Sequence, residues 1–379
     1  MKKLIFTSLL ISSCICANAT VITVNNNPNS PGTFTALGAA ITAAANNDTL
    51  YVHGSATDYG ATAIVLTKPL TIIGAGSLPN KNYNFPTKIS TLTLGFNSVY
   101  TSSGSGSKII GCDISNLYLQ VGNNTTVAGI SNVIAERNKI GTFYFYQGGT
   151  NAALAHDNIT IKNNVITTIS GYNGSIKNII IKNNIITGSI SSIGNAAIGN
   201  WVIMNNFFTS AATINYCNSA TITNNIFYSS GTTVAFGTTN TYCTLNKNSF
   251  ISVAYLYKLS DIIYGTNTGA GNLLNTDPQF TEYDVTINPS SYTHIYPVSA
   301  PFMNLNLKAS SLCKNVGTDG TDLGIYGGLT PFVEGYPKDS RFMYFPMPAI
   351  PQMVDMNILN GSILPNGTLN VRFKAHKQD

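Results

Sequence analysis

Between Asn132 and Ser252 the chain writes one phrase six times: NVIAERNKIGT, NITIKNNVITT, NIIIKNNIITG, NWVIMNNFFTS, SATITNNIFYS and YCTLNKNSFIS. Each copy is built around an anchor asparagine: Asn138, Asn164, Asn184, Asn206, Asn225 and Asn248. The anchors are separated by 26, 20, 22, 19 and 23 residues. A strand-like unit recurring at a period of about 20 is too short to bury its own apolar face, so neighbouring units must stack as a solenoid.

Aligning the copies on their anchors assigns columns. Five residues before the anchors stand Val133, Ile159, Ile179, Trp201, Ala220 and Cys243; three before stand Ala135, Ile161, Ile181, Ile203, Ile222 and Leu245. Alternation puts both columns on one face of a strand, towards the interior. Two after the anchors stand Ile140, Ile166, Ile186, Phe208, Phe227 and Phe250, which continue the core past the next corner. The last three should stack as an aromatic column at the strand spacing of about 4.8 Å. The anchors themselves suit a corner, because asparagine tolerates left-handed backbone and its amide can pass hydrogen bonds from coil to coil.

The N-terminus reads as a secretory leader. Lys2-Lys3 precedes a short apolar core, and Ala17-Asn18-Ala19 is a small-x-small cleavage pattern, so residues 1–19 are expected to be a signal peptide. Ile11-Ser12-Ser13-Cys14 also resembles a bacterial lipobox, which would leave a lipidated Cys14; simple cleavage fits better. The expected location is secreted or at the cell surface. No apolar run reaches the ~20 residues that a transmembrane helix needs. Loss of Lys2 and Lys3 takes the formal charge from +5 to +3, and Arg137, Arg341 and Arg372 are the only arginines. A nucleic-acid partner is therefore not expected. Cys112, Cys217, Cys243 and Cys313 follow neither a zinc nor a redox spacing. Their disulfide state stays open, with a Cys217–Cys243 bridge as one option. No cofactor or metal is expected.

Taken in order, residues 20–76 read as a cap and first coil. Val21-Ile22-Thr23-Val24 is a strand, Phe34, Leu37, Ile41 and Ala44 follow at helical spacing, and Leu50-Tyr51-Val52 and Lys68 to Gly76 are again strand-like. A short helix here would cover the open end of the stack. Residues 77–340 are expected to form the coils, with Asn116 as a further anchor before Asn138. After Phe250 the anchors are expected to stop. Asp319 and Asp322 stand near glycines and are read as turn residues. Residues 341–379 read as a proline-marked linker and a strand pair near Met356–Leu359 and Thr368–Phe373.

The order of strand, helix, strand and Lys68-Pro69-Leu70-Thr71-Ile72-Ile73-Gly74 resembles the N-terminal cap of right-handed parallel β-helix proteins of the pectin-lyase-like superfamily. Thr276-Asp277-Pro278-Gln279-Phe280 and Asp322 to Gly328 are similar to closing segments of secreted bacterial β-helix repeat proteins. The resemblance implies an all-β, right-handed parallel β-helix with asparagine ladders at its corners. It also raises two activities: polysaccharide lyases of this kind use acidic calcium ligands with a basic residue, and hydrolases use two close carboxylates.

The residues fit those activities poorly. Residues 101–256 contain three acids, Asp113, Glu136 and Asp157, in different columns. The alignment pairs Glu136 with Lys162 and Asp157 with Lys177 on adjacent coils, as surface ion pairs. The histidines His53, His156, His294 and His376 show no ligand spacing, and His53 and His156 are read as preceding loops. What remains is a modest basic patch of Arg137, Lys139, Lys162, Lys177 and Lys182, with Tyr144 and Tyr146 alternating against Phe143 and Phe145. Exposed tyrosines beside lysines suit an acidic extracellular polysaccharide. The expected function is a secreted, non-catalytic β-helix that binds glycan or other surface material. A polysaccharide lyase or hydrolase and a structural or adhesive envelope protein are the alternatives.

Overall fold

The computed structural model describes residues 20–29, 31–60, 63–76, 85–96, 103–121, 129–147, 155–172, 175–191, 201–209, 212–232, 234–282, 304–332, 352–358 and 371–376. The expected leader, the lipobox cysteine Cys14 and the proline-marked linker lie outside them. The chain is an all-β parallel solenoid of about 8 turns with one helix. The strands stack into two 11-stranded sheets, the short strand Ile190–Ser191 pairing with Val165–Tyr172 off the main path of the second. The first sheet runs from Val21–Val24 to Thr268–Ala270, and the second from Ile64–Leu66 to Leu273–Leu274.

The inward columns stack as the repeat dictates. Val133, Ile159, Ile179, Trp201 and Ala220 are in register, and so are Ala135, Ile161, Ile181, Ile203, Ile222 and Leu245. All are at most 2% exposed. Phe208, Phe227 and Phe250 form the aromatic column, with ring centroids 4.3 and 4.6 Å apart and planes within 12° and 4°. The helix, Leu37–Ala43, buries Leu37, Ala40 and Ile41 beside the first strands, and Ala44 is buried with them. Lys68 Nζ donates to the carbonyls of Thr42 and Ala44 at 3.1 and 2.6 Å, closing that helix end. The helix thus covers the first edge of the stack, as expected.

The six anchors form a continuous buried ladder. Asn138 donates from N and Nδ2 to Asn164 Oδ1 at 2.8 and 3.1 Å, and Asn164 does the same to Asn184 at 2.9 and 3.0 Å. The pattern continues through Asn206, Asn225 and Asn248. All six side chains are fully buried. Two details differ from expectation. The left-handed residue is not the anchor but its predecessor: Arg137, Asn163, Asn183, Asn205, Asn224 and Lys247 all have φ between 52° and 59°. The division of labour is physical, since the bend occupies one residue while the amide that bridges coils must point inward from the next. The ladder also does not stop at Asn248, which donates to Asn272 Oδ1 at 2.9 and 3.1 Å. At the other end Cys112, not Asn116, holds the anchor position: its N–H donates to Asn138 Oδ1, while Asn116 pairs with Thr142 inside a strand.

The stacked strands end at Leu274, short of the residue 340 expected for the coils. Residues 280–282 and 304–332 instead fold back over the outside of the corner. Phe280, Leu305, Cys313, Leu323, Ile325 and Phe332 close a second core on Val165, Ile185, Phe207 and Ile226, the residues just after four anchors. Side chains of the left-handed corner residues bind this cover: Asn183 Nδ2 donates to the carbonyls of Ile325 and Gly327, and Asn224 exchanges hydrogen bonds with Thr318. Asp319 caps its own turn through Thr321, and Asp322 pairs with Lys314 at 3.0 Å, so both act as turn residues. The C-terminal strands, Gln352–Ile358 and Val371–His376, form an antiparallel pair.

His156 does not precede a loop. It lies in a strand, 1% exposed, with its ring 5.9 Å from that of Phe145. Burial pushes it down to about 4, partly opposed by the carbonyls of Tyr146 and Ile130. The unfolded chain, protonating near 6.5, then binds more protons than the folded one between pH 6.5 and about 4. Stability present above pH 6.5 is expected to fall by roughly 3 kcal/mol as pH drops through that window. Thermal melts at successive pH values should show a shallower acid loss in His156→Leu. An identical profile in both proteins would refute the role.

Candidate functional site

The two halves of the patch expected from the sequence sit on different sheets. Lys162, Lys177 and Lys182 lie on strands of the first sheet, whereas Tyr144 and Tyr146 lie on a strand of the second. The tyrosines do face outward and Phe143 and Phe145 inward, and Tyr118 packs edge-on against Tyr144 at 5.5 Å. The expected ion pairs form: Lys162 Nζ is 3.0 Å from Glu136 Oε2, and Lys177 Nζ is 3.6 Å from Asp157 Oδ2. Arg137 is not a surface cation. Its residue is 5% exposed, its Nε lies 3.5 Å from Glu136 Oε1, and burial holds its guanidinium below the usual range. Lys182 is also pushed down, by burial and then by Lys162 one coil away. The lysines and tyrosines are therefore not brought together as one acidic-sugar cradle.

A more concave surface lies elsewhere. Beside the isolated bridges Ile190↔Ile214 and Ile214↔Phe236, which lead off the second sheet, lies a groove of about 760 Å³. Its lining includes Asn215, Tyr216, Val234, Phe236, Asp261 and Tyr264. Asn215 is braced by Thr213, its Nδ2 donating to Thr213 Oγ1 at 2.8 Å. Its Oδ1 lies against Gly237, where a Cβ would fall 1.7 Å from it, so any larger residue there would displace the Asn215 amide. The Tyr264 hydroxyl donates to the Gly237 carbonyl, which holds that ring in place.

Tyr216 carries the strongest functional signal. It is 58% exposed with φ of 56°, and Tyr242 repeats it at 65% and 54°. Left-handed backbone costs a bulky residue about 1–2 kcal/mol, and exposure recovers none of that through packing. Among the described residues these are the only aromatics with positive φ; asparagine dominates the rest. The local construction repeats too. The Tyr216 N–H donates to Thr239 Oγ1 at 3.0 Å and that of Tyr242 to Thr266 Oγ1 at 2.9 Å. The next residues, Cys217 and Cys243, donate from their N–H groups to Asn240 and Asn267 Oδ1 at 2.8 and 2.9 Å. Each Tyr-Cys step is thus held by a Thr-Asn step of a later coil. Both thiols are buried and reduced. The recurrence of Tyr-Cys at 216 and 242, and of Thr-Asn at 239 and 266, was visible in the sequence, but only Tyr242-Cys243 entered the anchor alignment.

Asp261 adds the one carboxylate of the lining. Its Oδ2 accepts from the Tyr255 hydroxyl at 3.0 Å and the Lys258 N–H at 2.6 Å. Among the described residues no group of three metal-ligating side chains gathers. The arrangement offers aromatic faces, hydroxyls and one fixed acceptor, which is the chemistry of a binding surface. No protein-family model matches this chain, and a comparison with curated proteins finds no match.

Proposed function

We propose that this protein is an exported, non-catalytic β-helix that binds extracellular glycan through the exposed Tyr216 and its groove, with Tyr242 a second exposed ring on the neighbouring coil. The observation that carries the proposal is the pair of exposed tyrosines held at positive φ. Strain kept without a packing return points to selection for what the rings do in solvent, and a flat aromatic face suits the C–H face of a sugar ring. The leader-like N-terminus supports export. The same proposal takes the solenoid as right-handed and pectin-lyase-like, supported by the strand–helix–strand opening and the asparagine ladder.

Binding is favoured over cleavage because hydrolysis by paired carboxylates needs two acids within about 10 Å across one site. The groove lining contributes one, and Glu136 and Asp157 are engaged by lysines. A glycan array probed with the wild type and with Tyr216→Asn and Tyr242→Asn tests the proposal. Asparagine keeps the left-handed backbone without strain, so melting temperatures should not fall while retention drops at least about tenfold. New reducing or unsaturated ends, released by the wild type and lost in a Lys162→Ala/Lys182→Ala double variant, would replace binding with lyase activity. An array without any retained glycan would leave a structural role.

A further inference from the structure

The groove also constrains which glycan it takes. No lysine or arginine lines it, and its single charge is the negative one of Asp261. Asp261 Oδ2 is occupied by Tyr255 and Lys258, while Oδ1 makes no hydrogen bond among the described residues and is free to accept one. The Thr238 and Ser260 hydroxyls stand exposed on the rim. Val234 supplies half-buried apolar surface to the lining, with Phe236 fully buried beneath it. Lys258 is exposed three residues before Asp261 but is outside the lining, and Lys162 and Lys182 belong to the first sheet.

We infer that the groove selects a neutral glycan: a ring stacked on Tyr216, with a sugar hydroxyl donating to Asp261 Oδ1. A uronate would bring its carboxylate against Asp261 with no cation in the lining to offset it and would lose that hydrogen bond. The charge pattern is the opposite of what an acidic polysaccharide requires. This inference rests on the glycan-binding proposal but separates from it, because it names the charge class and the residue pair that enforce it.

Calorimetric titration of the mature chain with neutral cello-, xylo- and manno-oligosaccharides, and with uronate oligosaccharides of matched length, decides it. The expected result is binding of at least one neutral series, with affinity unchanged between about 50 and about 500 mM NaCl because no ion pair is screened. Tyr216→Asn should weaken that binding at least about tenfold, and Lys162→Ala/Lys182→Ala should leave it unchanged. Uronate binding that fades with salt and disappears in the lysine double variant would overturn the neutral-glycan inference while preserving the glycan-binding proposal. Absence of binding to both series and to a broad glycan array would overturn both. Melting curves for each variant keep a folding defect from being mistaken for a lost contact.

Discussion

Asn184→Leu is expected to destabilise the protein by about 3–5 kcal/mol, the largest loss predicted for a single polar side chain here. Asn184 accepts from the N–H and Nδ2 of Asn164 and donates to Ile161 O, Lys182 O and Asn206 Oδ1, all between 2.9 and 3.0 Å. Leucine removes every one of these and leaves the Asn164 N–H buried without its acceptor. An orphaned buried donor costs ~1–3 kcal/mol, and each of the other lost bonds adds roughly 0.5 kcal/mol, the low end because two Nδ2 hydrogens serve three acceptors. Position along the ladder should grade the effect. Asn272 is half-buried at the open end, so water can replace its amide and Asn272→Leu should cost only about 1 kcal/mol. Chemical denaturation of both variants measures the difference; equal losses would mean that the ladder does not act as a buried relay.

Phe227→Ala is expected to cost a further class of stability, about 3–5 kcal/mol, by opening a cavity inside the aromatic column. Phe227 lies between Phe208 and Phe250 at 1% exposure, with both neighbours stacked near 4.5 Å. Its removal forfeits ring contact on two sides, and the flanking rings cannot both move in, because their strands are pinned by the second sheet. Phe208→Ala combined with Phe227→Ala should fall short of the sum of the single losses, since the pair shares one contact. Strict additivity would show that the rings pack against the wall and not against each other.

Both residues were legible from the anchor alignment, and so were the ion pairs and the capping helix. What escaped had identifiable causes. Val165, Ile185, Phe207 and Ile226 directly follow their anchors and precede another apolar residue, so each strand starts with two apolar side chains in succession. Alternation sends one of each pair outside, which already demanded a cover. That residues 280–282 and 304–332 supply it depends on contacts between segments more than 100 residues apart, such as Asn183 with Ile325. His156 looked like a loop residue because the polar Asp157 and Asn158 follow it. Its inward position follows from the register Ile159↔Ile179 and His156↔Ile176.

The candidate site shows the same boundary. Its tyrosines are plain in the sequence, but nothing local says that Tyr216 and Tyr242 adopt left-handed backbone or that Ser260 and Asp261 reach the same groove. Alone, the sequence determined the solenoid, its inward columns and its asparagine corner, because these repeat at a period that permits only one way of burying the apolar residues. Only the tertiary structure decided where the chain folds back, which cations remain on the surface and where a concave wall forms. Those features come from non-repeating segments meeting across the coils, and their contacts leave no periodic trace in the chain.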